Sequence, residues 1–210
     1  MSTIKYLALG DSYTIGEDVD FKENLPHHLV SFIEKKHTNQ EVEIGVLAKT
    51  GWTSDELIEA MNNHNFQEKY DYISLLIGVN NQYRNLSIAQ FKSDINYLCE
   101  WIKSKVSSPK NVIIISIPDW GQTPFGLKHD KHTDPLVITQ TLEKYNLFLS
   151  QMAQEYGFQY HSIFELSQQQ GLKKVGEDFP YLTSDLLHYN SKAYQEWAKQ
   201  THWFWEEVSH

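Results

Sequence analysis

Two apolar runs, YISLLI at 72–77 and VIIISI at 112–117, constrain the fold of this chain more than any other feature. Strands with this pattern are covered on both faces, which is typical of a parallel sheet between helices. Segments of helical period separate these runs from three other strand candidates: Lys5–Leu9, Val42–Leu47 and the weaker Phe158–Ser162. The alternation predicts right-handed crossovers and one three-layer α/β/α domain.

The starts and ends of several predicted helices can be read from their capping residues. Thr53 to Glu56 and Ser87 to Gln90 have the pattern of capping boxes, in which side chains pair with the free backbone donors of a helix start. Asp134 and Pro135 predict the start of another helix, and Gly157 predicts its end. The last helix is expected to begin near Ser191.

Length, charge and cysteine content exclude several classes of protein. A chain of 210 residues can bury a full core, so we expect a single domain over 1–210. The lone Cys99 excludes an internal disulfide, and its place in an apolar helical stripe predicts a buried thiol. A net charge of −9 leaves no basic footprint for nucleic acid or anionic lipid.

We expect no membrane insertion, because no apolar run reaches membrane-spanning length. The first strand candidate begins within a few residues of Met1, which leaves no room for a signal peptide. The sequence as it stands therefore predicts a cytoplasmic protein.

Small, polar and aromatic residues follow the first four predicted strands and precede the last predicted helix. They are Gly10-Asp11-Ser12 after the first, Ala48 to Trp52 after the second, Gly78 to Asn81 after the third and Pro118 to Gly121 after the fourth, with Asp185 to His188 before the last helix. Ligands of parallel α/β sheets bind beyond the carboxyl ends of the strands, so we expect a site at this edge.

These residues include the groups that acyl transfer requires. A serine hydroxyl is a weak nucleophile that needs an imidazole to take its proton, and a carboxylate holds the imidazole in the right tautomer. Ser12, His188 and Asp185 could fill these three roles. The backbone N–H groups of Ser12 and Gly51 and the side-chain amide of Asn80 could stabilise the oxyanion.

The same residues carry a resemblance to the SGNH, or GDSL-type, hydrolase family. The matching blocks are GDS at 10–12, a glycine at 51, GxN at 78–80 and DxxH at 185–188, in the family's order, and Gly16 fits the extended first block. The resemblance implies a flavodoxin-like fold with strand order 2-1-3-4-5. It also implies a serine esterase or lipase-like acylhydrolase that uses no metal or cofactor, with the roles above for the five residues.

Two departures from the family's pattern leave the substrate open. Asn81 stands where an acid is frequent, and His188 is followed by Tyr189 and Asn190 instead of the usual proline and glycine. The small-molecule ester could be a short-chain ester, an acetylated sugar or a lysophospholipid.

Five aromatic residues flank the predicted site and could line a substrate pocket, although they could equally be core residues: Tyr13, Tyr83, Trp120, Phe125 and Tyr189. The stretch HDKHTD at 129–134 resembles a metal-ligand cluster, but a solvated loop that partly covers the active site is favoured over a metal site. Trp203 and Trp205 cannot both face inward on a regular helix with Phe204, so one of them could mark a homodimer interface.

Other readings of the same residues stay open. Gly10-Asp11-Ser12 could be an ordinary turn, and Asp185 and His188 could only cap the last helix. The fold could also serve a flavodoxin-like module that binds a phosphorylated cofactor, or a catalytically silent interaction domain.

Overall fold

The computed structural model describes residues 3–128, 134–201 and 204. Its five strands form one parallel sheet with the order β2-β1-β3-β4-β5. Their bounds are β1 (Thr3–Gly10), β2 (Glu41–Ala48), β3 (Tyr72–Leu76), β4 (Val112–Ile115) and β5 (Gln159–His161). The predicted α/β class and the strand order implied by the resemblance are both confirmed.

Helices cover both faces of the sheet. They are α1 (Ser12–Ile15), α2 (Leu25–Lys36), α3 (Ser54–Asn62), α4 (Val79–Tyr83), α5 (Ile88–Lys105), α6 (Pro124–Lys128), α7 (Pro135–Tyr156), α8 (Phe164–Leu172) and α9 (Ser191–Gln200). Helix α2 packs against α9, whereas α5 packs between α3 and α7. Every residue of β3 and β4 is buried, as their apolar sequences predict.

The register of the sheet brings three strand ends to one level. Gly10, the last residue of β1, pairs with Ala48 at the end of β2 and with Leu76 at the end of β3. The chain therefore leaves all three strands at the same edge, and the polar residues that follow them are brought together.

Most of the predicted helix caps are confirmed. The Glu56 carboxylate accepts from the backbone N–H of Thr53 at 2.9 Å, and the Asp134 carboxylate accepts from Leu136 N–H at 2.8 Å. Gly157 ends α7 in the left-handed conformation, with φ of 71°. The capping box at Ser87 is wrong: within the described chain its side chain makes no cap hydrogen bond, and the Gln90 amide donates instead to Asp94 Oδ1, at 2.7 Å.

The core contains the predicted buried thiol, since Cys99 is fully buried on α5. Within the described ranges, no helix combines the length and the apolar character needed to cross a membrane.

Candidate active site

Ser12 lies at the edge of the sheet because β1 ends two residues earlier, at Gly10. A Cβ atom at Gly10 would overlap Thr14 Oγ1 and the Leu76 carbonyl oxygen, so only glycine fits at the end of the strand. The next residue, Asp11, caps α1, with its Oδ1 atom accepting from Tyr13 N–H at 3.1 Å. Ser12 is therefore the first residue of a short helix that starts directly at the strand end.

Asp185 and His188 form a close pair in the loop before α9. Asp185 Oδ2 lies 2.6 Å from His188 Nδ1. The other carboxylate oxygen accepts from three donors, the N–H groups of Leu187 and His188 and the hydroxyl of Thr183, at 2.8–2.9 Å. One carboxylate thus shapes the turn and orients the imidazole.

The charge of Asp185 determines which imidazole nitrogen carries the proton. Partial burial alone would raise the pKa of this carboxyl, but the hydrogen bonds from the His188 side chain, from two backbone N–H groups and from Thr183 outweigh it and lower the pKa to about 2. An ionised carboxylate can only accept, so Nδ1 is the protonated nitrogen of His188. In the neutral ring, Nε2 is left with a free lone pair, as a general base requires.

The pair does not cap the last helix. Asn190 does so, with its side-chain oxygen accepting from Lys192 N–H at 3.1 Å and from Ala193 N–H at 3.3 Å. The carboxylate of Asp185 instead accepts hydrogen bonds within its own turn and from the imidazole of His188.

Gly51 lies in the turn after β2. Its φ of 86° falls in the left-handed region, which glycine adopts without strain. Its carbonyl oxygen accepts from Arg84 Nη2 at 2.6 Å, and Arg84 Nη1 pairs with Glu56 Oε1 at 3.1 Å. This contact holds the peptide between Gly51 and Trp52, which adjoins the peptide that carries the Gly51 N–H group.

Asn80 is positioned by the turn that joins β3 to α4. Gly78 in this turn has φ of 123°, and a Cβ atom there would come within 2.6 Å of the Phe91 ring. One N–H of the Asn80 amide donates to the Trp52 carbonyl at 3.0 Å. The second N–H of that amide is not used by this bond and is available to a ligand.

A cavity of about 180 Å³ brings four of the five predicted catalytic and oxyanion residues together: Ser12, Gly51, Asn80 and His188 all line it. Asp185 lies behind His188. Three of the five predicted aromatic residues also line the cavity: Tyr13, Tyr83 and Trp120. Its remaining walls are Thr50, Val79 and Leu187, for which no role is predicted from the sequence.

Two of the predicted pocket aromatics lie elsewhere. Tyr189 is fully buried in the core, with its hydroxyl donating to the Ser167 carbonyl at 2.9 Å and its ring packed against Tyr13 and Trp197. Phe125 lies behind Trp120, and its backbone N–H donates to the Leu186 carbonyl at 3.2 Å. Both residues support the walls of the site, and neither is among the residues described as lining the cavity.

Two residues that sequence reasoning missed connect the loops of the site. Arg84 holds the carbonyl of Gly51, and the signal for it is that it is the only arginine of the sequence and stands four residues after Asn80. Asn81 is buried, with its side-chain oxygen accepting from Ser54 N–H at 2.9 Å and its amide donating to Ser54 Oγ at 2.8 Å. The asparagine that departs from the family's pattern therefore ties α4 to α3.

Two other expectations fall outside the described residues. Residues 129–133 of the candidate metal cluster lie outside the described ranges. Its last residue, Asp134, caps α7. In the ranges that the structure does cover, no group of three His, Cys, Asp or Glu side chains is arranged to hold a metal ion. Trp203 and Trp205, the candidate interface residues, also lie outside these ranges.

Asp11 is a buried acid directly before Ser12. Among the described atoms, its Oδ2 oxygen has no hydrogen-bond partner. Burial raises the pKa of this carboxyl to about 7, although backbone N–H donors at Tyr13 and Gly78 partly oppose the shift. The carboxyl group is therefore largely protonated in the folded protein below neutral pH.

We expect this buried acid to make the protein less stable as the pH rises. An unfolded Asp11 loses its proton near pH 3.9, whereas the folded one keeps it up to about pH 7, so the stabilisation is complete below the first value and lost through the second. Asp11→Asn should therefore reduce the fall in Tm between about pH 5 and about pH 9, measured by thermal melts. The exposed Asp178→Asn is the control, and an unchanged pH dependence in Asp11→Asn would refute the protonated state.

Comparisons with known proteins agree with the geometry. The sequence profile described as "GDSL-like Lipase/Acylhydrolase family" matches residues 8–196 of the chain. No curated protein matches the chain. Among solved structures, it is similar to Axe2, an acetylxylan esterase from Geobacillus stearothermophilus, with a TM-score of 0.73 and 16% identity over 98% of this chain and 95% of that one.

Two further solved structures share the fold. TesA has a TM-score of 0.68 at 14% identity, covering 96% of this chain and 98% of its own. A lipase/acylhydrolase from Enterococcus faecalis has a TM-score of 0.64 at 18% identity, covering 95% of this chain and 94% of its own. At such identities the likeness shows a common architecture, and the chemistry must be argued from the residues of this chain.

Proposed function

This chain belongs to the GDSL-like lipase/acylhydrolase family and is a carboxylic ester hydrolase, and we propose that it works through an acyl-enzyme formed on Ser12. The observation that carries the proposal is the cavity shared by Ser12, Gly51, Asn80 and His188, with Asp185 bonded behind the imidazole. Nucleophile, base and oxyanion donors are thus within the reach of one small acyl group.

In the first half of the proposed reaction, Ser12 Oγ forms a bond to the ester carbonyl carbon while its proton passes to His188 Nε2. The carbonyl electrons move to the oxygen, which becomes the oxyanion. The carbonyl double bond then re-forms, the bond to the alcohol oxygen breaks, and His188 returns the proton to the departing alcohol. Asp185 stabilises the positive imidazolium between these two transfers.

In the second half, a water molecule replaces the alcohol. His188 takes one proton from the water as its oxygen bonds to the acyl carbon, and a second tetrahedral intermediate forms. Its collapse breaks the bond to Ser12 Oγ, which takes the proton from His188, and the carboxylic acid is released.

The oxyanion in both intermediates is proposed to accept hydrogen bonds from Ser12 N–H, Gly51 N–H and the Asn80 amide. Because this amide is already anchored on the Trp52 carbonyl, it needs little reorganisation when charge develops. Donors held in this way stabilise the transition state more than the bound ester, so they act on kcat.

We expect Asn80→Ala to lower kcat by about 10²–10³-fold with little change in KM, because one oxyanion donor is lost. Steady-state kinetics on p-nitrophenyl acetate measure this effect, with Tm as the check on folding. Asn96→Ala is the matched control, since the Asn96 amide lies on the exposed face of α5 and donates to the Lys92 carbonyl of its own helix. A rise in KM at constant kcat would contradict the oxyanion role.

Covalent labelling tests the proposal directly. A fluorophosphonate probe should attach to Ser12 stoichiometrically, and peptide mass spectrometry identifies the labelled residue. A folded protein that is never labelled would instead be a catalytically silent domain, and a flavin released on denaturation would indicate a cofactor-binding module.

The proposed acyl group is short. Tyr13, Val79, Trp120 and Leu187 form apolar walls of the cavity, and its volume of about 180 Å³ is below the roughly 300–1,000 Å³ of sites that hold drug-sized ligands. Among the substrates that the sequence leaves open, this size favours short-chain esters and acetylated sugars over lysophospholipids. The acetylxylan esterase Axe2, which shares the fold, acts on an acetylated sugar of this kind.

A further inference from the structure

A second and larger cavity lies beside the first. Its volume is about 690 Å³, within the range of small-molecule sites. We call it the side groove and define it by six lining residues: Asn85, Leu86, Ile88, Val137, Thr141 and Lys144. The first three belong to the turn between α4 and α5 and to the start of α5, and the other three lie on one face of α7.

The side groove and the cavity at Ser12 share a wall. Tyr83 and Trp120 line both cavities, with their rings edge to face at 5.2 Å. Trp120 is buried, and its indole N–H donates to Gln82 Oε1 at 2.7 Å, so this part of the wall is fixed. Tyr83 is 47% exposed and forms the solvent-facing edge of the shared wall. A ligand with its carbonyl at Ser12 can therefore continue over Tyr83 into the groove.

The lining of the side groove is mixed in character. Leu86, Ile88 and Val137 leave apolar surface exposed to solvent. Between and beside them stand an amide at Asn85, a hydroxyl at Thr141 and an ammonium group at Lys144. Lys144 is the only charged side chain among the described residues of the groove.

This combination favours an occupant that makes hydrogen bonds. A plain hydrocarbon chain would take the polar groups away from water without replacing their hydrogen bonds, which costs free energy. A polyhydroxylated chain has apolar ring faces for the aliphatic side chains and hydroxyl groups for the amide and ammonium donors. No carboxylate stands among the described lining residues, so no acidic side chain of the groove competes with the ligand's hydroxyl oxygens for the amide and ammonium donors.

We propose that the side groove binds the alcohol portion of the ester, and that this portion is a polyhydroxylated chain of sugar type. The inference rests on the ester hydrolase function proposed above. The small cavity at Ser12 then holds the short acyl group, while the groove selects the alcohol. The residues of the groove act on substrate binding and take no part in the chemical step.

Filling the groove tests this assignment. Val137→Trp places an indole in the groove, and an acetylated xylo-oligosaccharide serves as the long substrate, with p-nitrophenyl acetate as the short one. We expect kcat/KM for the oligosaccharide to fall at least about tenfold, mainly through KM, while kcat/KM for p-nitrophenyl acetate stays within about twofold. Leu147→Trp, at a position that is 61% exposed on α7 and lies outside the groove, should change neither value.

A second variant removes one hydrogen-bonding group without filling the groove. Asn85 has a positive φ of 53°, which glycine adopts without strain, so Asn85→Gly deletes the amide and keeps the turn. We expect this variant to raise KM for the acetylated oligosaccharide several-fold and to leave p-nitrophenyl acetate turnover unchanged. If Val137→Trp and Asn85→Gly both keep wild-type kinetics on the oligosaccharide, the assignment of the groove is wrong.

The remaining outcomes separate this inference from the proposed function. A wild-type protein that cleaves p-nitrophenyl acetate but not the oligosaccharide overturns the groove assignment alone. A selective loss in Val137→Trp of activity on p-nitrophenyl decanoate also overturns it, because the groove would then hold an acyl chain. A wild-type protein that is neither acylated at Ser12 nor active on p-nitrophenyl acetate overturns the proposed function itself.

Discussion

Ser12→Ala is expected to lower kcat on p-nitrophenyl acetate by about 10⁴-fold or more, since removal of the nucleophile leaves only binding and oxyanion stabilisation. The variant should fold normally, because the contacts that place residue 12 are made by its neighbours. The side chain of Asp11 caps α1, and Gly10 fits against Thr14 and the Leu76 carbonyl. Steady-state kinetics and a thermal melt, each on wild type and variant, measure the two expectations separately.

The matched control for this prediction is Ser31→Ala. Ser31 is an exposed serine on α2 whose hydroxyl donates to the His28 carbonyl of its own helix. It should keep wild-type kcat and should still be labelled by fluorophosphonate at residue 12. Wild-type turnover in a correctly folded Ser12→Ala protein would refute the acyl-enzyme mechanism.

Asp185→Asn should have an effect of similar size, about 10⁴-fold on kcat, for a different reason. The asparagine oxygen can still accept from the backbone N–H groups of Leu187 and His188, so the turn is kept. The amide nitrogen would face His188 Nδ1 in place of Oδ2 and can only donate. The imidazole would then carry its proton on Nε2 and could no longer accept the proton of Ser12.

Kinetics and NMR together test this reason. The expected tautomer change in Asp185→Asn is visible in the ¹⁵N chemical shifts of the imidazole at alkaline pH. Asp20→Asn is the control, because Asp20 caps an exposed 3₁₀ turn at Lys22 N–H and asparagine caps equally well. A variant with an unaltered tautomer and full activity would show that Asp185 only shapes its loop.

The fold was largely predictable from the sequence, because its signals are local. The apolar runs at 72–77 and 112–117 fall on β3 and β4, and both strands are fully buried. Helix starts at Thr53 and Asp134 depend on hydrogen bonds within three residues of the cap, which a sequence shows directly. The capping box predicted at Ser87 is absent from the described chain, because the Gln90 amide donates to Asp94, one turn further along α5, and does not reach the cap.

The walls of the site were less predictable, because they depend on which aromatic ring faces inward. Tyr189 follows His188 directly, yet its ring packs in the core with Trp197, whereas Tyr83 stays half exposed at the rim. Arg84 contacts Gly51 and Asn81 contacts Ser54, partners that are 33 and 27 positions away in sequence. Contacts of this range leave no periodic signal in the chain.

The sequence by itself determined the class of the sheet and the residues that reach its edge, because strand burial and capping are decided by neighbours a few positions apart. Only the tertiary structure decided that Gly10, Ala48 and Leu76 end at one level, which brings Ser12, Gly51 and Asn80 to a common cavity. It also decided that a second cavity opens beyond Tyr83. The physical reason is that sheet register and helix packing are set by contacts between distant segments, whose free energies no single segment contains.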